Sequence, residues 1–389
     1  MRRQAGDYIS ASLTGLAYQA FVPRPLPPNP AVHWSPALLL LRDKANRALG
    51  RLDDVSLVLP DKQLFLYHYV RKEAVLSSQI EGTQSSLSDL LLFELDEAPG
   101  VPLDDVREVS NYVAALDHGL RRMRSGELPL SLRLLREMHA ILLDGARGKN
   151  KSPGDFRRGQ VWLGGPSPAT ARFVPPPPNK LMDCLDPFER FLHAQPDEAP
   201  VLEKAALAHV QFETIHPFMD GNGRLGRLLI TLLLCSEEVL REPMLYLSLY
   251  FKQNRDGYYE ALQRVRTHGD WEGWLQFFLQ GVADTARLAT DTARRLLELF
   301  DEDREKLQAF KRGAGSAIRV QQYLQAHPIA AATDMAYALD LSPPAVRSAL
   351  ARLEEVSIVR EVTGRARYKL FAYDQYLQIL AEGTEPLPR

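Results

Sequence analysis

The sequence has little cysteine and lacks a long apolar run. Only Cys184 and Cys235 occur among its 389 residues, and each lies in an apolar helical context. Such a thiol usually behaves as a small buried hydrophobe rather than as a nucleophile or a metal ligand, so a reducing, cytoplasmic compartment is expected. The most apolar stretch, residues 228–235, is too short to span a bilayer. Polar residues interrupt the N-terminal segment, unlike a secretory core, and no membrane role is expected.

The sequence also lacks a strong net charge. The formal charge of -2 gives no overall attraction to nucleic acid, so any such binding requires a local basic patch. With 45% hydrophobic and 25% charged residues, the chain can bury more than one compact core. Two or three domains are therefore expected.

The spacing of apolar and helix-breaking residues predicts a mainly helical protein with five regions. Proline-rich residues 1–33 are predicted to form an extended arm, with regular structure beginning near Trp34. Helical spacing then predicts a bundle over 34–145. Glycines and prolines within 151–178 surround two short β-prone runs, which predicts a small β-hairpin flap. The predicted regions are an arm (1–33), a helical region (34–145), a core with the flap (146–290), a helical linker (291–315) and a C-terminal domain (316–389).

One twelve-residue segment, His216 to Arg227, carries the chemistry. Pro217 ends the helix before it, which leaves His216 at a helix end facing a loop. Gly221-Asn-Gly would then lie at the N-terminus of the next helix, where free N–H groups and the helix dipole favour a phosphate. Arg224 and Arg227 lie on neighbouring helix positions and can donate to phosphate oxygens. With Asp220 as a hard oxygen ligand for Mg²⁺, the segment predicts a phosphoryl-group transfer site.

Each residue of this segment has a simpler explanation when taken alone. A histidine beside proline is often structural, and Gly-Asn-Gly often forms only a turn. A metal site without a nucleotide is a further alternative, but His209 is expected to face the core and no other histidine or cysteine lies at ligand spacing. The conjunction of all these groups favours the transfer site.

The segment resembles the signature of the Fic family, His-x-Phe-x-Asp/Glu-Gly-Asn-Gly-Arg-x-x-Arg, at every defined position. The resemblance extends over about residues 20–285. Phe156-Arg157 and the runs that begin at Gln160 and Phe173 are similar to the family's target-positioning flap, and residues 246–274 are similar to its later helices.

The resemblance implies a protein adenylyltransferase that moves AMP from ATP, with Mg²⁺, onto a Ser, Thr or Tyr hydroxyl. His216 would be the general base and Asp220 the metal ligand. The residues expected to contact the nucleotide are Glu81, Gln211, His216, Pro217, Phe218, Met219, Asp220, Gly221, Asn222, Gly223, Arg224, Arg227, Asn254 and Tyr258. For Gln211, Asn254 and Tyr258, helix packing is the alternative role.

An upstream segment, Ser77-Ser-Gln-Ile-Glu81-Gly82, resembles the family's inhibitory element. Gly82 is predicted to end a helix, so that Glu81 reaches out from its last turn. Its carboxylate would pair bidentately with Arg227 and occupy the site of the ATP γ-phosphate. The alternative is that Glu81 is a solvated helix-end residue.

Residues 316–389 have the element order of a winged helix-turn-helix. Between residues 347 and 369 there are six basic and three acidic residues. Arg347 lies on the expected recognition helix, and Arg365 and Arg367 lie at the expected wing tip. Over 315–389 the charges balance, eight against eight. DNA binding and protein docking therefore both stay open, as do a homodimer, self-modification, and AMP removal by the same site. The rival interpretation is a DNA-binding regulator whose core senses a nucleotide.

Overall fold

The computed structural model describes residues 3–13, 15–58, 62–95, 101–145, 148, 150–194, 200–310, 312–365 and 369–387. It confirms a mainly helical protein with small β elements. The helices of the N-terminal and central parts are α1 Pro36–Val58, α2 Lys62–Ile80, α3 Leu87–Glu94, α4 Leu103–Arg124, α5 Leu132–Leu142, α6 Leu181–Leu192, α7 Val201–Ile215, α8 Asn222–Ser236, α9 Ser248–Gln253, α10 Arg255–His268 and α11 Trp271–Gln308.

The N-terminal region departs from the predicted extended arm. Strands β1 Gly6–Leu13 and β2 Leu16–Pro23 form an antiparallel hairpin in which Gly6 pairs with Pro23 and Leu13 with Leu16. The prediction was wrong because the prolines that disfavour regular structure begin only at Pro23, after the second strand. Gly15, with φ of 84°, supplies the left-handed turn residue.

Helices α7 and α8 form the buried centre of the fold. Every residue of α8 from Leu225 to Leu234 is buried, and the helix packs against α7, α2, α4 and α5. Burial on all sides is typical of a core helix, and Arg227 is the one charged residue of this stretch. α7 also packs against α6, α10 and α11. The loop between α7 and α8 is therefore fixed at both ends by buried helices.

Local sequence signals account for several helix ends. Ser86 and Asp89 form a capping box at the start of α3, and the Ser131 hydroxyl caps α5. Gly269, in the left-handed conformation, ends α10. α11 runs for 38 residues and passes through most of the predicted linker, 291–315.

The C-terminal region contains α12 Ala314–Ala326, β3 Ile329–Ala331, α13 Ala332–Ala338, α14 Pro343–Glu355, β4 Val359–Glu361, β5 Leu370–Tyr373 and α15 Asp374–Ala381. Its three strands form one antiparallel sheet in the order β3, β5, β4. The predicted order of three helices and a hairpin is present, with an added strand and a final helix. Arg347 is exposed on α14, whereas Arg367 lies outside the described residues.

In the part of the chain that the structure describes, none of the helices combines the length and the apolar character needed to cross a membrane.

Candidate active site

His216 lies directly after the last residue of α7, as predicted. Its N–H donates to the Phe212 carbonyl (2.8 Å), and its backbone is left-handed with φ of 51°. A non-glycine residue in this conformation is strained, and the surrounding structure must hold it there. Pro217 follows without an N–H donor, so the chain turns sharply away from α7 into the loop.

The Asn222 side chain closes the loop from within. Its Oδ1 accepts from the Phe218 N–H and its Nδ2 donates to the Phe218 carbonyl, both at 2.9 Å. Asn222 is 2% exposed, and Gly221 before it has φ of 76°. The predicted anion loop is therefore held in shape by its asparagine, which contributes its backbone rather than its side chain to the cleft.

Replacement of Asn222 with alanine is expected to lower the free energy of unfolding by roughly 2–4 kcal/mol, because both backbone groups of buried Phe218 would lose their partner. Denaturant titration followed by circular dichroism measures the change. Asn150→Ala, the same substitution at an exposed position, should change stability by less than about 0.5 kcal/mol. Equal stabilities of the Asn222→Ala and wild-type chains would contradict this role.

His139 of α5 supports the same loop and was not predicted from the sequence. Its ring stacks on Phe218 with centroids 3.8 Å apart, its Nδ1 accepts from the Gly154 N–H (2.9 Å), and its Nε2 donates to the Asp220 carbonyl (2.9 Å). Burial lowers the pKa of His139 to about 4, which agrees with a neutral ring that donates on one side and accepts on the other. No local pattern distinguishes it from other helical histidines.

Asp220 follows on the open side of this loop. Its Oδ1 accepts from the Gly221 N–H (2.6 Å) and lies 3.8 Å from Arg224 Nη2, and its side chain is 44% exposed. The described residues contain no cluster of three or more histidine, cysteine or acidic side chains suited to a metal. A single hard carboxylate does fit Mg²⁺, which keeps most of its waters and takes other ligands from substrate phosphates.

The N-terminus of α8 opens next to His216. Leu225 is the first residue whose N–H forms a helical hydrogen bond, which it donates to the Gly221 carbonyl (3.0 Å). No described side chain caps the helix. The N–H groups of Asn222, Gly223 and Arg224 precede that bond and are free to donate to an anion at this helix terminus.

Glu81 lies over this helix terminus. A Cβ placed on Gly223 would collide with Glu81 Oε1, so the carboxylate occupies the space that the missing side chain leaves. Glu81 follows the end of α2 at Ile80, and Gly82, with φ of 102°, ends the turn as predicted. The Glu81 side chain is 35% exposed.

Arg227 binds both Glu81 and Ser77. Its Nη2 donates to Glu81 Oε1 (2.7 Å) and to the Ser77 carbonyl (3.0 Å), and its Nε donates to the Ser77 hydroxyl (2.8 Å). The predicted pairing is therefore present, but through one carboxylate oxygen, because Ser77 takes part of the guanidinium fork. Burial acts to raise the pKa of Glu81, but Arg227 outweighs it and the pKa of Glu81 is lowered.

Arg224 has a partner that the sequence did not reveal. Its Nη1 donates to Glu108 Oε2 of α4 (3.0 Å), and both side chains are nearly buried, at 5% and 7% exposure. Arg224 therefore has a fixed orientation at the edge of the cleft. Glu108 is 116 residues away in the chain, and nothing local pairs it with the motif.

The flap is smaller than the predicted hairpin. Leu163 and Phe173 exchange two backbone hydrogen bonds (2.8 and 3.1 Å) and form one isolated bridge. Val174 instead accepts from the Phe21 N–H of β2 (2.9 Å), and Tyr18 donates to Gln160 Oε1 (3.1 Å). The N-terminal hairpin is thus joined to the flap by hydrogen bonds.

Arg157 joins the flap to the histidine. It is 2% exposed, and its guanidinium donates to the carbonyls of His216 (2.8 Å), Pro176 (2.5 Å) and Gly159 (3.2 Å). One side chain therefore connects both arms of the flap to the residue after α7. The sequence indicated only that Arg157 belongs to the flap segment.

These elements line one open cleft of about 430 Å³. A volume of this order suits a nucleotide-sized ligand. The residues that line it are Glu81, Glu108, Val161, Trp162, Leu163, His216, Met219, Asp220, Gly221, Asn222, Gly223 and Arg224.

Six of the predicted nucleotide contacts are not among these lining residues: Gln211, Pro217, Phe218, Arg227, Asn254 and Tyr258. Tyr258 is 1% exposed, and its hydroxyl shares a hydrogen bond with His209 Nε2 (2.8 Å) inside an aromatic cluster. Gln211 donates to the Arg24 carbonyl (2.9 Å), and Asn254 Nδ2 donates to the Tyr250 carbonyl (3.0 Å). Pro217 and Phe218 are buried beneath the loop. His209 is fully buried, as expected.

Two family profiles match the chain. The one described as Fic/DOC family N-terminal matches residues 39–121, and the one described as Fic/DOC family matches residues 129–234. The second match contains the loop, His216 and the start of α8, and the first contains Ser77 and Glu81.

Curated relatives include proteins named protein adenylyltransferase Fic. The one from Aedes aegypti is 29% identical over 266 residues, which cover 66% of this chain and 46% of that protein. The one from Culex quinquefasciatus is 30% identical over 267 residues, again 66% of this chain and 46% of the relative. The chain thus spans about half the length of the curated relatives it matches.

Solved structures share the fold. A Fic family protein from Desulfovibrio desulfuricans G20 superimposes with a TM-score of 0.58 at 19% identity and covers 88% of this chain and 97% of its own. A Fic domain containing signaling protein from Bacteroides thetaiotaomicron VPI-5482 gives a TM-score of 0.52 at 20% identity, covering 64% of this chain and 97% of its own.

Proposed function

The chain is a member of the Fic family, and we propose that it transfers AMP from ATP to a hydroxyl group of a protein side chain, on another protein or on itself. The observation that carries this proposal is that His216 and the free N-terminus of α8 open into the same cleft. The names of the curated relatives support the same reaction.

The backbone at the start of α8 supplies the anion site. The N–H groups of residues 222–224 and the positive end of the helix dipole attract the polyphosphate, and Gly223 allows a phosphate to approach the backbone closely. Arg224, oriented by Glu108, adds charged donors at the cleft edge. Asp220 would hold Mg²⁺, which when bound would neutralise part of the phosphate charge.

The transfer itself requires one base. His216 accepts the proton of the attacking hydroxyl as the O–H bond breaks, and the oxygen forms a bond to the α-phosphorus. The bond from the α-phosphorus to the bridging oxygen breaks, and its electron pair leaves with pyrophosphate. Burial lowers the pKa of His216 to about 3, so the imidazole is neutral near pH 7 and has a free lone pair.

Glu81 is proposed to inhibit this reaction. Its carboxylate pairs with Arg227 and lies over Gly223, where a phosphate oxygen would otherwise approach the helix. Two negative groups cannot share this position without a large electrostatic cost. ATP would therefore bind in a pose that does not present its α-phosphorus to the hydroxyl.

The flap is proposed to hold the target protein. Val161, Trp162 and Leu163 line the cleft opposite the α8 terminus, and Arg157 ties the flap to the His216 carbonyl. A hydroxyl side chain presented by the flap would thus enter next to the base. DNA binding by the C-terminal region stays a prediction, which a gel shift with duplex DNA at moderate salt would check.

Two labelled forms of ATP test the reaction class. After incubation of the full chain with ATP labelled at the α-phosphate, label should appear in protein and resist denaturing electrophoresis. ATP labelled at the γ-phosphate should leave none, because pyrophosphate departs. The opposite pattern would indicate a phosphoryl transferase and would overturn the proposal.

A further inference from the structure

A second carboxylate faces His216 from its own helix. Glu213 lies three residues earlier, in the last turn of α7. Its Oε2 is 3.9 Å from His216 Nδ1. Glu213 Oε1 and His216 Nδ1 are both buried and have no hydrogen-bond partner among the described residues. Buried polar atoms without partners are costly, and such a pair, of which His216 lines the cleft and Glu213 lies buried behind it, indicates a function.

The two neighbouring arginines form their hydrogen bonds with groups other than the Glu213 carboxylate. Arg266 of α10 donates to the Glu213 carbonyl (3.1 Å) and to Thr214 (3.2 Å), whereas Arg227 of α8 is held by Ser77 and Glu81. On its other side, Glu213 Oε1 lies over Gly226, where an added Cβ would be 2.6 Å away. The carboxylate is thus confined between α8 and the ring.

We propose that Glu213 is a positioning residue for His216. Its carboxylate accepts the Nδ1–H, which fixes the ring with Nε2 toward the hydroxyl and stabilises the imidazolium that forms when the proton is taken up. This inference rests on the proposed adenylyl transfer. A shift of less than 1 Å closes the present 3.9 Å separation to hydrogen-bond distance, and such contacts commonly tighten only in the reactive complex.

The ionisation of the pair gives a pH dependence with a definite sign. Burial raises the pKa of Glu213 to about 7, and burial lowers the pKa of His216 to about 3. The other charged or titratable groups facing the pair are Arg227, Glu81, Arg266, Arg157, Tyr258 and Tyr259. The arginines stay charged and Glu81 is already ionised near neutrality. As pH rises through about 7, Glu213 loses its proton and becomes the acceptor, so the transfer rate should rise.

One rival group could orient the ring instead. The backbone carbonyl of Glu213 also lies near His216 and favours its protonated form. If the carbonyl accepted the Nδ1–H, the side chain at position 213 would not matter. Glu213→Gln separates the two cases, because it keeps the shape and the backbone but cannot carry a negative charge.

Rates are measured with the full chain carrying Glu81→Gly, with and without Glu213→Gln, between pH 6 and pH 8.5. At pH 8 the Gln variant should lose about 10- to 100-fold in kcat, with KM for ATP changed by less than about threefold. Its pH profile should be flat where the parent rises. Glu203→Gln, the same change near the start of α7, should alter neither quantity.

Nitrogen NMR of histidine-labelled chains provides a readout that needs no turnover. With Glu213 intact above pH 7, the His216 signal, assigned through a His216→Asn chain, should report a protonated Nδ1 and a free Nε2. Glu213→Gln should shift this tautomer balance. Unchanged rates and an unchanged His216 signal would overturn the proposal in favour of the carbonyl. If no chain transfers AMP, the proposed function fails, whereas the NMR comparison still decides the contact.

Discussion

His216→Ala should reduce adenylyl transfer by roughly 10²- to 10⁴-fold and leave ATP binding within a few fold of wild type. The range is that of a positioned general base. Binding survives because the N–H groups at the start of α8, Asp220 and Arg224 are untouched, and Asn222 still holds the loop through Phe218. Transfer is measured by incorporation of α-phosphate label, and binding by calorimetry.

Two controls accompany this variant. His268→Ala removes an exposed histidine at the end of α10 and should keep full activity. His216→Asn guards against a backbone effect, because position 216 is left-handed and asparagine tolerates that conformation better than alanine. A chain with alanine or asparagine at 216 that kept most of its transfer rate would show that His216 is not the base.

The sequence predicted the parts of the site whose causes are local. Pro217 after a helical stretch and two glycines before an apolar run are enough to locate a helix end, a loop and a helix start. The structure has all three, and α8 begins at Asn222, so that Gly223 already lies in its first turn.

The parts that the sequence missed depend on contacts between distant segments. Glu108 pairs with Arg224 across 116 residues, and His139 reaches the Asp220 carbonyl across 81. Helical spacing reveals which face of α4 or α5 is buried but not which polar group on it meets the motif. The N-terminal hairpin was missed for another reason, since the prolines at 23–30 outweighed a proline-free strand pattern just before them.

Tyr258 is a predicted nucleotide contact that the fold buries. An aromatic residue near a nucleotide site could pack against the adenine ring. Tyr258 instead packs with Phe251 (centroids 4.5 Å apart) and shares a hydrogen bond with His209 within the core. Its amphipathic spacing on α10 is that of a core position. Its role as a nucleotide contact stays a prediction, and the packing alternative accounts for every contact the side chain makes.

Glu81→Gly should raise adenylyl transfer, including self-modification, by about tenfold or more. A hydrogen bond between charged groups is worth roughly 1.5–3 kcal/mol, and each 1.4 kcal/mol corresponds to a factor of ten. The lower end of this energy range applies because the Glu81 side chain is 35% exposed and its charge is partly screened by solvent. Removal of the carboxylate clears the space over Gly223 and frees Nη2 of Arg227 from one of its two acceptors.

Arg227 should keep its position after the Glu81→Gly substitution. Its bonds to the Ser77 hydroxyl and carbonyl remain, so the guanidinium keeps its orientation beside Gly223, where we expect it to contact the γ-phosphate. The gain should therefore lie in the fraction of bound ATP that is productively placed, rather than in the chemical step. Glu81→Gln, which removes the charge but keeps the volume, should give a smaller gain.

Three further chains make the result decisive. Glu238→Gly changes an exposed glutamate in the turn after α8 and should leave transfer unchanged, which separates a specific release from added backbone freedom. Arg227→Ala combined with Glu81→Gly should cancel the gain, because the freed arginine is what improves ATP placement. His216→Ala combined with Glu81→Gly should be inactive, because release without a base transfers nothing. If the folded Glu81→Gly chain incorporates no more label than wild type, Glu81 is only a helix-end residue whose contact with Arg227 does not restrain the enzyme.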